Sequence, residues 1–510
     1  MSVPASEDSL KLLVQNCKGA IKDLENIFPA MMKLRISLTE IRADDIEYKD
    51  TIIAFLSKTE DLLLGSNFIL HELMSSLRFL PETTFIYEKR YHIQNINLSL
   101  CEAYSYFLGN KNDGVWSLLK PMILALNNSS LNSYVVKIDN ELAILGKEHC
   151  DVQMRHSTAH YDQPIERYKK VNNITEEDKY CKATSKYLLI HMHISQVSMI
   201  ITDIIKRIVP KNVSSSIKPM IPAFDIKAFV EENIAIKLSS DERIAYLSSE
   251  SLIKTSNSID SLYKNHLMCE GAEKFIASKN IKSATNIEAL HKLIMLRMMI
   301  GFIHCDLTCS IRAYMNSKSR VERSLHLRRI YVTEVSGLTY LYGYNKEKNA
   351  QSLWQQLMNM DINGDRDGNE NKKESLRKKL EELTSSLNSP RRNLYIHFRE
   401  YENLNILKRY EAYEELNQLD EVKRALNLIH LCKEIDNYTI FMLKQVEIEE
   451  QQKSKDQMEK RHAMFEDLRY KMTNSKLSET MKAQAISIID EMERKITKMF
   501  DPEKIDNNEE

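Results

Sequence analysis

Two stretches of this chain combine an arginine, a histidine and an aromatic residue at the same spacing. The first is RHSTAHYD at residues 155–162, and the second is RNLYIHFR at residues 392–399. In each stretch a polar residue follows the arginine, and three variable residues then precede the histidine. The two histidines, His160 and His397, lie 237 positions apart (397 − 160). The pattern therefore occurs twice in one chain.

Arginine and histidine together supply the groups that cleave RNA without a metal. The guanidinium fork matches phosphate oxygens, and imidazole exchanges protons near neutral pH. One base takes the proton of a ribose 2′-hydroxyl, an acid protonates the departing 5′-oxygen, and a cation stabilises the phosphorane. Because one histidine performs one proton transfer at a time, two facing copies would form one composite site. Its catalytic residues would be Arg155, His160, Arg392 and His397.

The elements that carry these residues are predicted less clearly for the first copy than for the second. Ser389 is a good N-cap and Pro390 suits a first helical turn, so the second copy is expected to open a helix. Helix starts favour phosphate binding. Residues five positions apart diverge by about 140° on a regular helix, so the site needs two helices or a bent helix start. The alternative is that each arginine forms a structural ion pair and each histidine is an ordinary core or surface residue.

The surroundings of the two motifs also correspond, which predicts an internal duplication. The only tryptophans, Trp116 and Trp354, lie 238 positions apart (354 − 116), and each precedes its motif histidine by a similar distance. GNKNDGVWSLL resembles GYNKEKNAQSLWQQL after a short insertion, and His193 and His430 hold the same register. Two similar halves can pair around a pseudo-two-fold axis, as homodimers do around a true one.

Composition predicts an all-α fold. The chain has 11 glycines and 10 prolines in 510 residues, well below the usual shares of about 7% and 5%. Breaks between helices are expected at residues 209–224 and 363–373, which collect Pro, Gly, Ser or Asn. The predicted domains are an N-terminal helical segment at 1–89, a first bundle at 90–224, a helical linker at 225–284, a second bundle at 285–445, and a charged C-terminal helix and tail at 446–510.

The two motifs resemble the hallmark of the HEPN superfamily, which is arginine, then Asn, Asp or His, then variable residues and a histidine. Arg155-His156 with His160 and Arg392-Asn393 with His397 both fit. The resemblance implies an up-and-down four-helix core in each half, paired as a pseudo-dimer. It also implies metal-independent endoribonuclease activity, often in toxin–antitoxin, stress or antiviral systems.

The resemblance also implies roles for the individual residues. The two arginines would hold the scissile phosphate, the two histidines would be base and acid in an unassigned order, and His156 and Asn393 would support them by hydrogen bonds. No cofactor and no metal are expected. The implied partners are an RNA substrate and a protein antitoxin or regulator, and a homodimer is also compatible. Some members of the superfamily are non-catalytic, so a helical interaction protein or scaffold is the alternative function.

Charged segments elsewhere offer weaker candidates. The formal net charge of −1 removes the argument from global basicity for nucleic-acid binding. A local strip that could track an RNA backbone contains Arg320, Arg323, Arg328 and Arg329, although a solvated face paired to glutamates is the alternative. Residues 363–374 partly fit a calcium loop, but a flexible acidic insertion fits them better.

The eight cysteines show no zinc or redox spacing, and Cys305 and Cys309 are expected to be buried thiols on a helix. No signal region and no long apolar run is apparent, so a cytoplasmic protein without membrane contact is expected. From residue 446 the polar sequence predicts a long, largely solvated helix.

Overall fold

Helices account for all regular secondary structure in the described part of the computed structural model, and no strand occurs there. The described residues are 49–109, 113–159, 161, 163–172, 174, 177–208, 248–278, 285–317, 320–343, 352–358, 366–385, 387 and 418–499. The predicted all-α class is confirmed. Scarce glycine and proline leave the backbone few places where a helix must stop.

The described residues between 49 and 208 form seven α-helices and one π-helical turn. They are α1 (Lys49–Glu82), α2 (Ile86–Leu108), α3 (Val115–Ala125), α4 (Ser129–Ile144), the π-turn (Leu145–His149), α5 (Val152–Ala159), α6 (Pro164–Asn172) and α7 (Glu177–Ile208). Helix α1 packs along α2 and α7, and α5 packs on α2. The short helix α5 carries the first arginine–histidine motif.

Five more helices are described between residues 249 and 385. They are α8 (Ser249–Ser278), α9 (Thr285–Asn316), α10 (Arg320–Leu341), α11 (Leu353–Met358) and α12 (Arg366–Ser385). Helix α9 packs against α8 and α10, and it also contacts α2 and α6. Its side chains are mostly buried, including the predicted thiols Cys305 and Cys309.

Two helices complete the described chain, α13 (Gln418–Thr473) and α14 (Glu479–Met499). The helix predicted from residue 446 is the later part of α13, which already begins at Gln418, and α14 was not predicted separately. By contact density the described residues divide into one compact unit within 49–360 and 372–436 and a second within 361–371 and 437–499. Inside the second unit, Arg469 donates to Asp490 over 2.8 Å and Phe465 is buried.

Some predicted boundaries require correction. The predicted boundary between residues 89 and 90 falls inside α2, and the one between residues 445 and 446 falls inside α13. The break predicted at 363–373 is wrong from Arg366 onward, because α12 begins there and residues 366–373 are helical. A calcium loop needs irregular backbone at these positions, so the helix also removes that candidate. The break predicted at 209–224 lies outside the described residues.

One described stretch, Ala289–Asn316, is long and apolar enough to cross a membrane by length and composition. However, 83% of its most apolar window is buried inside the protein. It is therefore accommodated as the central core helix α9.

Burial in the helical core lowers the pKa of four histidines, of which three are buried and His191 is partly buried. Burial lowers the pKa of His191 and of His304 to about 4 in each case. Burial, assisted by the nearby guanidinium of Arg329, also lowers the pKa of His92 and of His326 well below the usual range. On lowering the pH, the unfolded chain therefore binds protons at these histidines before the folded protein does.

We expect the free energy of unfolding to decrease as the pH falls from 7 to 5. The pKa of His191 is 6.5 in the unfolded chain and about 4 when folded, so the stabilisation present above pH 6.5 is lost as the pH approaches 4. Each such histidine contributes about 1.4 kcal/mol per pH unit in that window. Urea unfolding at several pH values measures the slope.

The variant His191→Asn should reduce this slope, because it removes one imidazole whose pKa is lowered in the folded protein. His430→Asn is the matched control, since the side chain of His430 is 55% exposed. Equal slopes in His191→Asn and the unmodified protein would contradict the assignment.

Candidate active site

The first motif lies on α5, whose start is fixed by a carboxylate and an amide. Asp151 accepts a hydrogen bond from the backbone N–H of Met154 over 2.8 Å and so caps the helix. The side-chain amide of Asn97 on α2 makes two hydrogen bonds with the backbone of Asp151. It donates to the carbonyl oxygen over 2.9 Å and accepts from the N–H over 3.0 Å. The start of α5 is therefore capped by a side chain of the protein itself. The sequence predicted no clear helix start for the first motif.

Arg155 is held on α2 by Glu102. The Nε and Nη2 atoms of Arg155 both donate to Oε1 of Glu102, over 2.8 and 2.5 Å. The Glu102 side chain is 4% exposed and the Arg155 side chain 32%. A buried carboxylate therefore orients the guanidinium, while part of the arginine stays accessible to solvent.

The remaining residues of the first motif are only partly described. His156 is exposed on α5, and α5 ends at Ala159. His160 lies outside the described residues. In the second motif Arg392, Asn393 and His397 lie outside them as well, so the predicted composite site stays a prediction.

The chain immediately after the first motif is anchored by one carboxylate on α9. Tyr161, which follows His160, donates its hydroxyl hydrogen to Oδ2 of Asp306 over 2.6 Å. Tyr87 on α2 donates to Oδ1 over 3.0 Å, and the guanidinium of Arg167 on α6 forms an ion pair with the same carboxylate. Arg167 also lies over the Tyr161 ring, at 4.5 Å from its centroid. We name Asp306, Tyr87, Tyr161 and Arg167 the Asp306 cluster.

Burial and charge act together in the Asp306 cluster. Burial raises the pKa of Tyr161 and of Tyr87, and the Asp306 carboxylate raises both further. The hydroxyl groups thus keep their protons and donate them. Burial by itself lowers the pKa of Arg167, but Asp306, Tyr161 and Tyr87 together hold the pKa above its ordinary value. The cluster is a closed structural site whose carboxylate is fully engaged.

The predicted basic strip on α10 is mostly internal. Arg328 and Arg329 are each 6% exposed. Arg328 forms an ion pair with buried Glu72, and Arg329 donates to Ser76 over 2.7 Å. These two arginines hold α10 against α1 and do not form a surface strip, which also removes the solvated-face alternative for them. Arg323 is half-buried, and the side chain of Arg320 lies outside the described residues.

A disulfide between Cys101 and Cys150 adds a covalent link next to the motif. The Cα atoms are 5.0 Å apart, and the bond joins α2 to the residue before the Asp151 cap. The sequence spacing of the cysteines carried no signal for it. Among the described residues, no group of three or more His, Cys, Asp or Glu side chains is arranged to hold a metal ion.

No family model, curated protein or solved structure gives a match to this chain. Function therefore has to be inferred from the residues and their contacts.

Sequence reasoning missed the residues that position the motif. Asp151 was recognisable as a cap, since it directly precedes the helical stretch VQMR. Asp306 was also recognisable, because it is the lone charge in the apolar run GFIHCDLTCS and a buried charge requires a partner. Glu102 and Asn97 had no such signal, since their partners are about 50 residues away in sequence.

We expect Asp306→Asn to lower the free energy of unfolding by about 3–5 kcal/mol, because it leaves the buried Arg167 guanidinium without its counter-ion. Urea unfolding at neutral pH measures the loss. Asp436→Asn is the matched control, since Asp436 pairs with Arg297 over 2.7 Å but is 38% exposed. That variant should lose about 1 kcal/mol or less. Equal losses in the two variants would show that the Asp306 cluster has no special role.

Proposed function

We propose that this protein is a metal-independent endoribonuclease built from two HEPN-like bundles that arose by internal duplication and pair within one chain. Its composite site would combine Arg155 and His160 with Arg392 and His397. The observation that carries the proposal is the position of the first motif. Arg155 is bound to α2, while Tyr161, next to His160, is bound to Asp306 on α9. The first motif thus bridges the predicted halves.

The order of the helices supports the duplication. The pair α1 and α2 is followed by α3, which carries buried Trp116. The pair α9 and α10 is followed by α11, which carries buried Trp354. The short helices α3 and α11 each pack on the pair that precedes them. Two halves with the same order would each contribute one motif.

The proposed reaction uses the two motifs as a pair. One imidazole removes the proton of the ribose 2′-hydroxyl, and the oxygen attacks the adjacent phosphorus. The other imidazole protonates the departing 5′-oxygen, which leaves a 2′,3′-cyclic phosphate. Arg155 and Arg392 stabilise the charge that develops on the phosphorane. His156 and Asn393 support the site by hydrogen bonds, and Arg320 and Arg323 are the remaining candidates for contacts to the RNA backbone.

The setting of this activity is proposed by analogy with the family that the motifs resemble. It is a cytoplasmic stress or antiviral response, in which a protein antitoxin or regulator restrains cleavage. No membrane contact and no cofactor are part of the proposal. A homodimer of the whole chain is compatible with it.

The test is cleavage of single-stranded RNA by the full chain in the presence of EDTA. We expect products with 2′,3′-cyclic phosphate ends, detected by their resistance to ligation until a phosphatase that opens cyclic phosphates is added. His160→Ala and His397→Ala should each lower the rate by about 10²-fold or more, because each removes one proton-transfer group.

His430→Ala is the control, because the side chain of His430 is 55% exposed and lies outside both motifs. Its rate should equal that of the unmodified protein, and all variants should unfold at similar urea concentrations. Undiminished cleavage by the double variant His160→Ala/His397→Ala would rule out this mechanism.

A non-catalytic interaction or scaffold protein is the second candidate. The contact that favours it is the ion pair of Arg155 with Glu102. The Glu102 carboxylate neutralises the guanidinium charge that would otherwise attract a phosphate. On this alternative the motif stabilises the bundle, and Arg155→Ala lowers the urea midpoint while the unmodified protein leaves RNA intact in EDTA.

A further inference from the structure

We infer that the pairs α1–α2 and α9–α10 are two copies of one helical hairpin, related by a pseudo-two-fold axis that passes beside the ring of Phe79. The inference rests on the internal duplication that is part of the proposed function, and it identifies the contacts between the two copies. It does not depend on RNA cleavage, because none of the contacts that support it involves an arginine or a histidine of the two motifs.

The two hairpins agree in their backbone landmarks at one offset. Helix α1 ends at Glu82 and α9 at Asn316, a difference of 234 (316 − 82). Helix α2 begins at Ile86 and α10 at Arg320, again 234 (320 − 86). After each hairpin comes a glycine with positive φ, Gly109 at 72° and Gly343 at 89°. This backbone region favours glycine because it has no Cβ, so the positional match is specific.

Side chains at this offset are also conserved between the hairpins. Identical pairs include Phe68/Phe302, Ile69/Ile303, Leu73/Leu307, Ser76/Ser310, Arg78/Arg312, Glu88/Glu322, His92/His326, Ile96/Ile330, Tyr106/Tyr340 and Gly109/Gly343. The tryptophans lie at a larger offset because the chain from Gly343 to Trp354 is four residues longer than from Gly109 to Trp116. The two offsets therefore describe one repeat with an insertion after the hairpin.

The contacts between the hairpins are reciprocal, which is the signature of a two-fold interface. Arg78 on α1 binds Glu322 on α10, with 2.7 Å from Nη2 to Oε1. Its counterpart Arg312 on α9 binds Glu88 on α2, with 3.0 Å from Nε to Oε1. Arg312 lies 234 positions after Arg78, whereas Glu88 lies 234 positions before Glu322, so the two pairs exchange partners between the hairpins. Similar hairpins packed side by side in one direction would not exchange partners in this way.

A second layer keeps its acceptors at the same offset, whereas its donors stand at positions of α2 and α10 that are not counterparts of one another. Glu72 on α1 binds Arg328 on α10, and its counterpart Asp306 on α9 accepts from Tyr87 on α2. Each acid receives its donor from the second helix of the other hairpin. The serines one turn along do the same: Ser76 accepts from Arg329, and Ser310 is hydrogen-bonded to Tyr91 at 2.5 Å.

The axis itself explains one departure from identity. Phe79 is stacked on His92 with ring centroids 4.9 Å apart, and its ring meets the edge of His326 at 5.4 Å. The two histidines are counterparts, so one ring serves both halves and must lie close to the axis. Two phenylalanines related by the axis would compete for that space. The counterpart of Phe79 is in fact Ala313, which is 1% exposed. A tandem chain permits this asymmetry, whereas a homodimer of identical chains cannot.

The symmetry predicts that the ring can be moved to the other copy. Phe79→Ala should lower the urea midpoint by leaving a cavity, and Ala313→Phe alone should lower it by overpacking. The double variant Phe79→Ala/Ala313→Phe should recover at least half of the midpoint lost by Phe79→Ala. The control Phe79→Ala/Ala103→Phe places the ring at a buried alanine of α2 away from the axis and should recover nothing.

A gentler pair keeps the inference testable if the phenylalanine variants do not fold. Phe79→Val should lower the urea midpoint, and Phe79→Val/Ala313→Val should recover part of the loss, because the symmetric pair roughly conserves the combined side-chain volume. A midpoint in the double variant at or below that of Phe79→Val would overturn the axis. Because unfolding is measured without RNA, an inactive but rescued protein would refute the proposed nuclease and leave the axis standing.

Discussion

The carboxylate of Asp306 lies in the middle of the core helix α9, and a buried carboxylate is costly unless cations and hydrogen-bond donors surround it. Tyr87, Tyr161 and Arg167 supply those donors from three different parts of the chain. Arg167 has the converse need, since its guanidinium is 1% exposed. Each group is tolerated inside the protein only because the other is present. The segment that follows the first motif is consequently held on α9.

The need to pair buried charges recurs throughout the compact unit that contains Asp306. Arg78 with Glu322, Arg328 with Glu72, and Arg424 with Glu334 are ion pairs whose carboxylates are almost fully buried. Burial raises the pKa of Glu334 to about 8, although Arg424 lowers it. Buried pairs are weak contributors to net stability, but breaking one is expensive. We expect these pairs to favour one register of the helices, because any other register would leave a buried charge without its partner.

The sequence predicted the helical class and the long polar helix because both follow from local composition. It also predicted an internal repeat, since the tryptophans and the motifs stand at nearly one offset. It could not locate Glu102 or the disulfide of Cys101 with Cys150, because those partners meet only after α2 and α5 pack. It placed Arg328 and Arg329 on a surface, since charge suggests solvent, whereas Glu72 and Ser76 draw them inside. The break predicted at 363–373 failed because a polar, Asn-rich segment still forms helix from Arg366.

The most direct test of the composite site is an experimental structure of the full chain with an RNA whose 2′-hydroxyl at the cut site is replaced by hydrogen. Such an RNA can bind but cannot be cleaved. The account predicts one phosphate with the imidazoles of His160 and His397 on either side of it, both within hydrogen-bond reach. Imidazoles that face separate surfaces, with the RNA bound by neither, would contradict it.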